Sequence, residues 1–180
     1  MRFLTLSEQE IKNSRIYNSI KEKHIVISIT SAADQEVLLP TNINRVSELF
    51  LKFDDVQDID NRFIYFDRDM SKQILDFVET YINNISLIIV QCQAGISRSV
   101  AVASALSKII NYADDAIYTS GIPNMFVYVT ILDDFFGDKT WRHKYSRIAT
   151  HRRQAMNEWL SQPMVRTAMI IDKKRENSYE

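Results

Sequence analysis

The sequence predicts an α/β fold: a central, mostly parallel (mixed) sheet flanked by helices, with a helical C-terminal part. Two observations carry this expectation. Short β-branched or apolar runs, His24–Thr30 and residues 87–90, alternate with helix-length stretches, as parallel strands joined by crossover helices require. From about Ser97 onward the pattern is helical. The 180 residues, 46% hydrophobic and 25% charged, have a globular composition and suffice for a substantial core.

Taken in order, residues 2–5 fit a short strand, and Ser7 with Glu10 forms a capping-box pattern that predicts a helix to about Ile20. His24–Thr30, rich in Ile, Val and Thr, reads as a central strand, and residues 46–53 as another that runs into an acidic loop. Asp67 or Asp69 can cap a helix over 70–81, before the strand at 87–91. A tight loop follows, then the small and apolar run 100–110, which reads as a buried helix. The expected organisation is one domain over 1–165, with a core at 2–136 and a helical extension at 139–165, and a polar tail at 166–180. No repeat or low-complexity stretch is visible, and three glycines leave little room for flexible linkers.

The chemistry concentrates in Gln91-Cys92-Gln93-Ala94-Gly95-Ile96-Ser97-Arg98-Ser99. Five residues between Cys92 and Arg98 can close into a concave turn whose backbone N–H groups point inward. Such nests bind anions, and the positive end of the following helix adds to the effect. Gly95 supplies a point where the chain can turn without a Cβ clash. A helix N-terminus and a neighbouring cation favour the thiolate form of a cysteine. The planar fork of Arg98 can hold two oxygens of a tetrahedral dianion at once. Thiolate, clamp and anion cradle in one segment outline a phosphoryl-transfer site.

Composition excludes other classes. A net charge of −1 gives no electrostatic reason to expect nucleic acid or an anionic membrane as partner. The N-terminus turns polar too early for a signal peptide, and no apolar run approaches a membrane span of about 20 residues. One cysteine rules out an internal disulfide framework, and no Cys/His cluster has metal-ligand spacing. A reactive thiolate fits a reducing cytoplasm.

Cys92-x-x-Gly95-x-x-Arg98-Ser99 resembles the signature loop of the cysteine-dependent protein tyrosine phosphatase superfamily, closest to its small dual-specificity-like members. Ile122-Pro123-Asn124, before the apolar Phe126, Val127 and Tyr128, is similar to the opening of the helix after the signature helix in compact members. The resemblance spans roughly residues 2–136. It implies a phosphatase-like fold and metal-free, cofactor-free hydrolysis of a phosphoprotein or phosphopeptide through a phosphocysteine intermediate. Phosphotyrosine is the default substrate, with phosphoserine and phosphothreonine left open. Cys92 would be the nucleophile, and Gln93, Ala94, Gly95, Ile96, Ser97 and Arg98 would hold the phosphate. Ser99 would hydrogen-bond the sulfur, or cap the following helix, and Asn124 would brace the loop or merely open its own helix.

Thiolate attack on a phosphoester needs the departing oxygen protonated. Phe53-Asp54-Asp55-Val56-Gln57-Asp58-Ile59-Asp60 offers four candidates at the strand edge where α/β proteins bind ligands. By resemblance to strands ending Phe-x-Asp, Asp55 is the first choice, followed by Asp54 and then Asp58. The family normally has His before the cysteine, where this chain has Gln91. That departure implies weakened rather than abolished catalysis, and it keeps a second reading open: a phosphatase-like module that binds phosphoresidues without turnover. The loop carries no Lys, which disfavours inositol phosphates. Lys139, Arg142, Lys144, Arg147, Arg152 and Arg153 form a basic 139–153 segment that is either a solvated helix face or a dock for an acidic partner.

Overall fold

The computed structural model describes residues 1–57 and 62–137. Strands β1 (Arg2–Ser7), β2 (His24–Thr30), β3 (Arg45–Lys52) and β4 (Leu87–Cys92) form one sheet in the order β1-β4-β2-β3. Every pairing among them is parallel. Around the sheet lie α1 (Glu8–Lys12), α2 (Ser14–Asn18), α3 (Arg68–Tyr81), α4 (Arg98–Asn111), α5 (Asp115–Tyr118) and α6 (Met125–Phe136). The α/β architecture expected from the alternating pattern is therefore present.

Burial explains the strand sequences. β2 and β4 are buried at every position, as strands covered on both faces must be, and this selects their continuous apolar runs. The edge strand β3 is mostly half-buried and carries Arg45, Glu48 and Lys52. On one face Leu6, Val26, Leu87 and Ile89 pack with Ile11 of α1, Tyr17 of α2, Ile20 and Val37. Alternation puts Ile88, Val90 and Cys92 on the opposite face. α4 packs against β4, β1 and α6, and it is buried from Arg98 to Ser107. The small residues Ala101, Ala103, Ser104 and Ala105 allow that close approach.

Two boundaries differ from the sequence reading. β1 runs on to Ser7, and the helix expected over 7–20 breaks into α1 and α2. Ser7 does form the capping box with Glu10. At Asn13 the backbone is extended, and its side-chain oxygen accepts from the amides of Arg15 (3.1 Å) and Ile16 (3.4 Å). The side chain thus competes with helical bonding and starts a second helix. For α3 the cap is Asp67, which accepts from the Met70 amide at 2.8 Å, while Asp69 lies in the first turn.

Because all four strands run the same way, the C-terminal ends of β1, β2, β3 and β4 share one edge of the sheet. The loops leaving that edge build the site. Among the described residues no helix is long and apolar enough to cross a membrane. Asp58, the basic 139–153 segment, the extension at 139–165 and the tail at 166–180 lie outside the described residues.

Candidate active site

Cys92 ends β4, Arg98 opens α4, and the five residues between them form the loop. Gly95 turns with φ 75°, and a Cβ there would stand 2.7 Å from Ser7 N and 2.9 Å from Leu6 C. Both the conformation and the fit against the end of β1 therefore require glycine. Three of the loop's carbonyls are bonded to neighbours. Gln93 O accepts from Glu8 N (3.1 Å), Ile96 O from Ile122 N (2.8 Å), and Ser97 O from Ala101 N (2.9 Å). The amides of Gln93, Ala94, Gly95, Ile96 and Ser97 donate to no protein group among the described residues. Amides left open along such a turn are what an anion cradle needs.

Arg98 is only 3% exposed. Its NH1 donates to the Phe53 carbonyl at 2.8 Å and to Ser31 Oγ at 3.3 Å, and the Phe53 ring lies 6.0 Å from the guanidinium carbon. One end of the fork is thus fixed from the residue that follows β3 and from the loop after β2. The buried Nε has no hydrogen-bond partner, and Asp55 Oδ2 stands 4.0 Å from it. A buried guanidinium N–H without a hydrogen bond is costly, and an oxygen from outside the protein would satisfy it.

The three ranked acid candidates part company here. Asp54 is committed to structure: Oδ1 accepts from Ala32 N (3.1 Å) and Oδ2 from Ile64 N (2.9 Å), tying two loops together. Asp55, 37% exposed in its side chain, turns towards the loop. Its Oδ1 accepts from Ser97 Oγ (2.9 Å) and Asn124 Nδ2 (2.8 Å), which leaves Oδ2 facing Arg98. Asp58 is outside the described residues.

Asn124 is fully buried and opens its own helix, as one of the two readings left open by the sequence has it, while its side chain reaches the Asp55 loop rather than the cysteine loop. Its Oδ1 caps α6, accepting from Phe126 N (3.1 Å) and Val127 N (3.2 Å). The cap fixes which way the amide points, so Nδ2 reaches Asp55 and the Val56 carbonyl (3.2 Å). The side chain braces the acid loop; contact with the cysteine loop comes through its backbone amide, 3.4 Å from Ser97 O.

Cys92 is 2% exposed, and its Sγ lies 3.1 Å from Ser99 Oγ. Ser99 sits inside α4; the cap position belongs to Ser97, whose hydroxyl goes to Asp55 instead of the helix. The capping alternative for Ser99 is thereby corrected. Gln91, on the opposite face of β4 from Cys92, accepts from Ser28 Oγ at 2.7 Å, and its buried Nε2 has no partner. Its side chain meets β2 rather than the loop. Sequence reasoning passed over Ser31 and the Phe53 carbonyl as anchors of Arg98. Their positions at the ends of β2 and β3, on the ligand-binding edge, were the available signal.

No protein-family model matches the sequence, and no curated protein matches it. Solved structures do. The human tyrosine phosphatase-like serine/threonine/tyrosine-interacting protein is 16% identical, with a TM-score of 0.54, over 73% of this chain and 89% of that one. Human DUSP28 is 15% identical, with a TM-score of 0.52, over 73% of this chain and 90% of that one. The chain has the fold of the dual-specificity-like cysteine-dependent phosphatases.

Proposed function

We propose that the protein is a phosphoric monoester hydrolase acting on phosphotyrosine, and on phosphoserine or phosphothreonine where they reach the cradle, in phosphoproteins of the cytoplasm. The observation that carries this reading is the buried Arg98, gripped at NH1 while its Nε makes no hydrogen bond and has Asp55 at 4.0 Å. A purely structural arginine would have its donors satisfied.

In the first step Cys92 Sγ, as thiolate, attacks phosphorus while the ester P–O bond breaks. Asp55 gives its proton to the departing oxygen. The proton belongs on Oδ2, because Oδ1 already accepts from Ser97 and Asn124. Arg98 Nε and the open amides of residues 93–97 hold the remaining phosphoryl oxygens, supplying positioning and electrostatic stabilisation. In the second step water attacks the phosphocysteine and passes its proton to Asp55, and the sulfur leaves as thiolate, accepting a hydrogen bond from Ser99 Oγ. Gln91, bonded to Ser28, supports Cys92 only through the strand. The reaction calls for no metal or cofactor, and the basic 139–153 segment would dock an acidic partner without taking part in it.

Hydrolysis of p-nitrophenyl phosphate by the wild type, lost in Cys92→Ser and reduced in Asp55→Asn, is the expected result; unchanged turnover in Cys92→Ser refutes the reading. A second reading, a phosphoresidue-binding module, draws support from Gln91, whose side chain bonds Ser28 of β2 and gives the nucleophile no hydrogen bond, and from the likeness to a phosphatase-like interacting protein. It predicts phosphopeptide binding without wild-type turnover.

A further inference from the structure

Exposed apolar side chains occur on the loops around the cradle. Ile96, in the loop itself, is 48% exposed, and Ile122 is 52% exposed. Their backbones adjoin: Ile122 N donates to Ile96 O at 2.8 Å, and a Cβ on Gly121 would stand 2.4 Å from that same oxygen. On the acid-loop side, Phe63 and Ile64 are also exposed, and Ile64 is bound to Asp54 in both directions, N to Oδ2 and O to N. Large exposed apolar groups at the border of a ligand site contribute to what that site accepts.

The charges nearby have one predominant sign. Asp34 bonds Ser31 O through its amide, Asp54 and Asp55 lie in the acid loop, and Glu8, whose amide bonds Gln93 O, is paired with Lys12 of its own helix. Apart from Arg98, the cation on these loops among the described residues is Arg62, placed 5.8 Å from the Phe63 ring. Such a border repels acidic flanking residues and gains by covering apolar ones.

We infer that the site selects phosphopeptides carrying an apolar residue next to the phosphoresidue, with Ile96 and Ile122 forming the surface that receives it. The inference rests on the phosphatase reading above and adds the sequence context of its substrate. A contact of this size, covering a few tens of Å² of apolar surface, corresponds to about a fivefold preference.

Three phosphotyrosine peptides differing only in the two flanking residues, Leu, Ser or Glu, test it. Wild-type kcat/KM is measured alongside the Kd of each peptide for Cys92→Ser. The Leu peptide is expected to exceed the Ser peptide about fivefold, with the Glu peptide last. Ile122→Ser should erase the Leu preference through KM while p-nitrophenyl phosphate turnover stays unchanged, and Ile122→Leu should retain it. A flat ranking, a Glu preference, or a Leu preference surviving in Ile122→Ser overturns the inference. The two claims fail separately. Turnover of p-nitrophenyl phosphate with a flat ranking removes only the context preference. Absent turnover with the ranking preserved in the Kd values removes only the phosphatase.

Discussion

Asn124 is the residue where folding and chemistry meet, and its replacement makes the sharpest test of the mechanism. Asn124→Ala removes an N-cap worth about 1 kcal/mol, with a range of roughly 0.5–2. It also removes the two donations from Nδ2, to Asp55 Oδ1 and Val56 O, at about 1 kcal/mol each. The stability loss should therefore be about 3 kcal/mol by chemical denaturation. Asn124→Asp keeps an acceptor for the Phe126 and Val127 amides, so most of the cap survives. It replaces a donor 2.8 Å from Asp55 with a like charge, which should turn Oδ2 away from Arg98. Both variants should lose about 10–100-fold in kcat, a share of the usual contribution of a positioned acid. The loss should be larger on phosphotyrosine than on p-nitrophenyl phosphate, whose leaving group needs less protonation. A structural role alone would not discriminate between leaving groups. In an Asp55→Asn background the kcat effect of Asn124→Ala should vanish, because the group it positions is gone. If Asn124→Ala costs as much there as in the wild type, the positioning argument is wrong.

Asp54→Asn should destabilise the protein while largely sparing turnover in the folded fraction, whereas Asp55→Asn should cut kcat by about 10²–10⁴-fold with little change in melting temperature; the reverse outcome would exchange their roles. Gly95→Ala should lower stability by more than about 1–2 kcal/mol and abolish phosphate binding, read by calorimetry with inorganic phosphate, since the new methyl meets immovable backbone of β1. Buried His24 accepts from Tyr17 OH at Nε2 (3.1 Å) and donates to Glu22 O from Nδ1 (2.8 Å), and burial pushes its pKa below the usual 6.5. A depressed pKa means stability that is complete above the ordinary histidine value and is lost as pH falls through the folded one. The melting temperature should drop on acidification below about 6.5, and His24→Gln should flatten that part of the profile. A wild-type melting temperature unchanged down to the carboxylate range would refute this.

The sheet was readable because burial on both faces forces continuous apolar runs, as in β2 and β4, and such runs cannot be mistaken for surface. The signature loop was readable because its chemistry is local: a cysteine, a glycine and an arginine at fixed spacing. The relations between loops were not. Nothing in Phe53-Asp54-Asp55 says that Asp54 spends both oxygens on the amides of Ala32 and Ile64, since those partners are distant in sequence and their donors are backbone groups present in nearly every residue. The same holds for the Phe53 carbonyl that fixes Arg98. Asn13 shows the opposite failure: a local signal, an Asx cap, lay inside an apparent single helix and was outweighed there by the capping box before it. Asn124 was legible as a helix opener but not as the hand on Asp55, because the second role exists only once the two loops meet.

The central claim is that phosphorus passes through the sulfur of residue 92. Acid quench of the enzyme during turnover of p-nitrophenyl phosphate, followed by mass spectrometry of its peptides, tests this directly. The account predicts a phosphoryl group on Cys92 that accumulates in the burst phase and is absent from Cys92→Ser. Steady turnover with no phosphorylated Cys92 peptide, or a phosphoryl group on any other side chain, would contradict it.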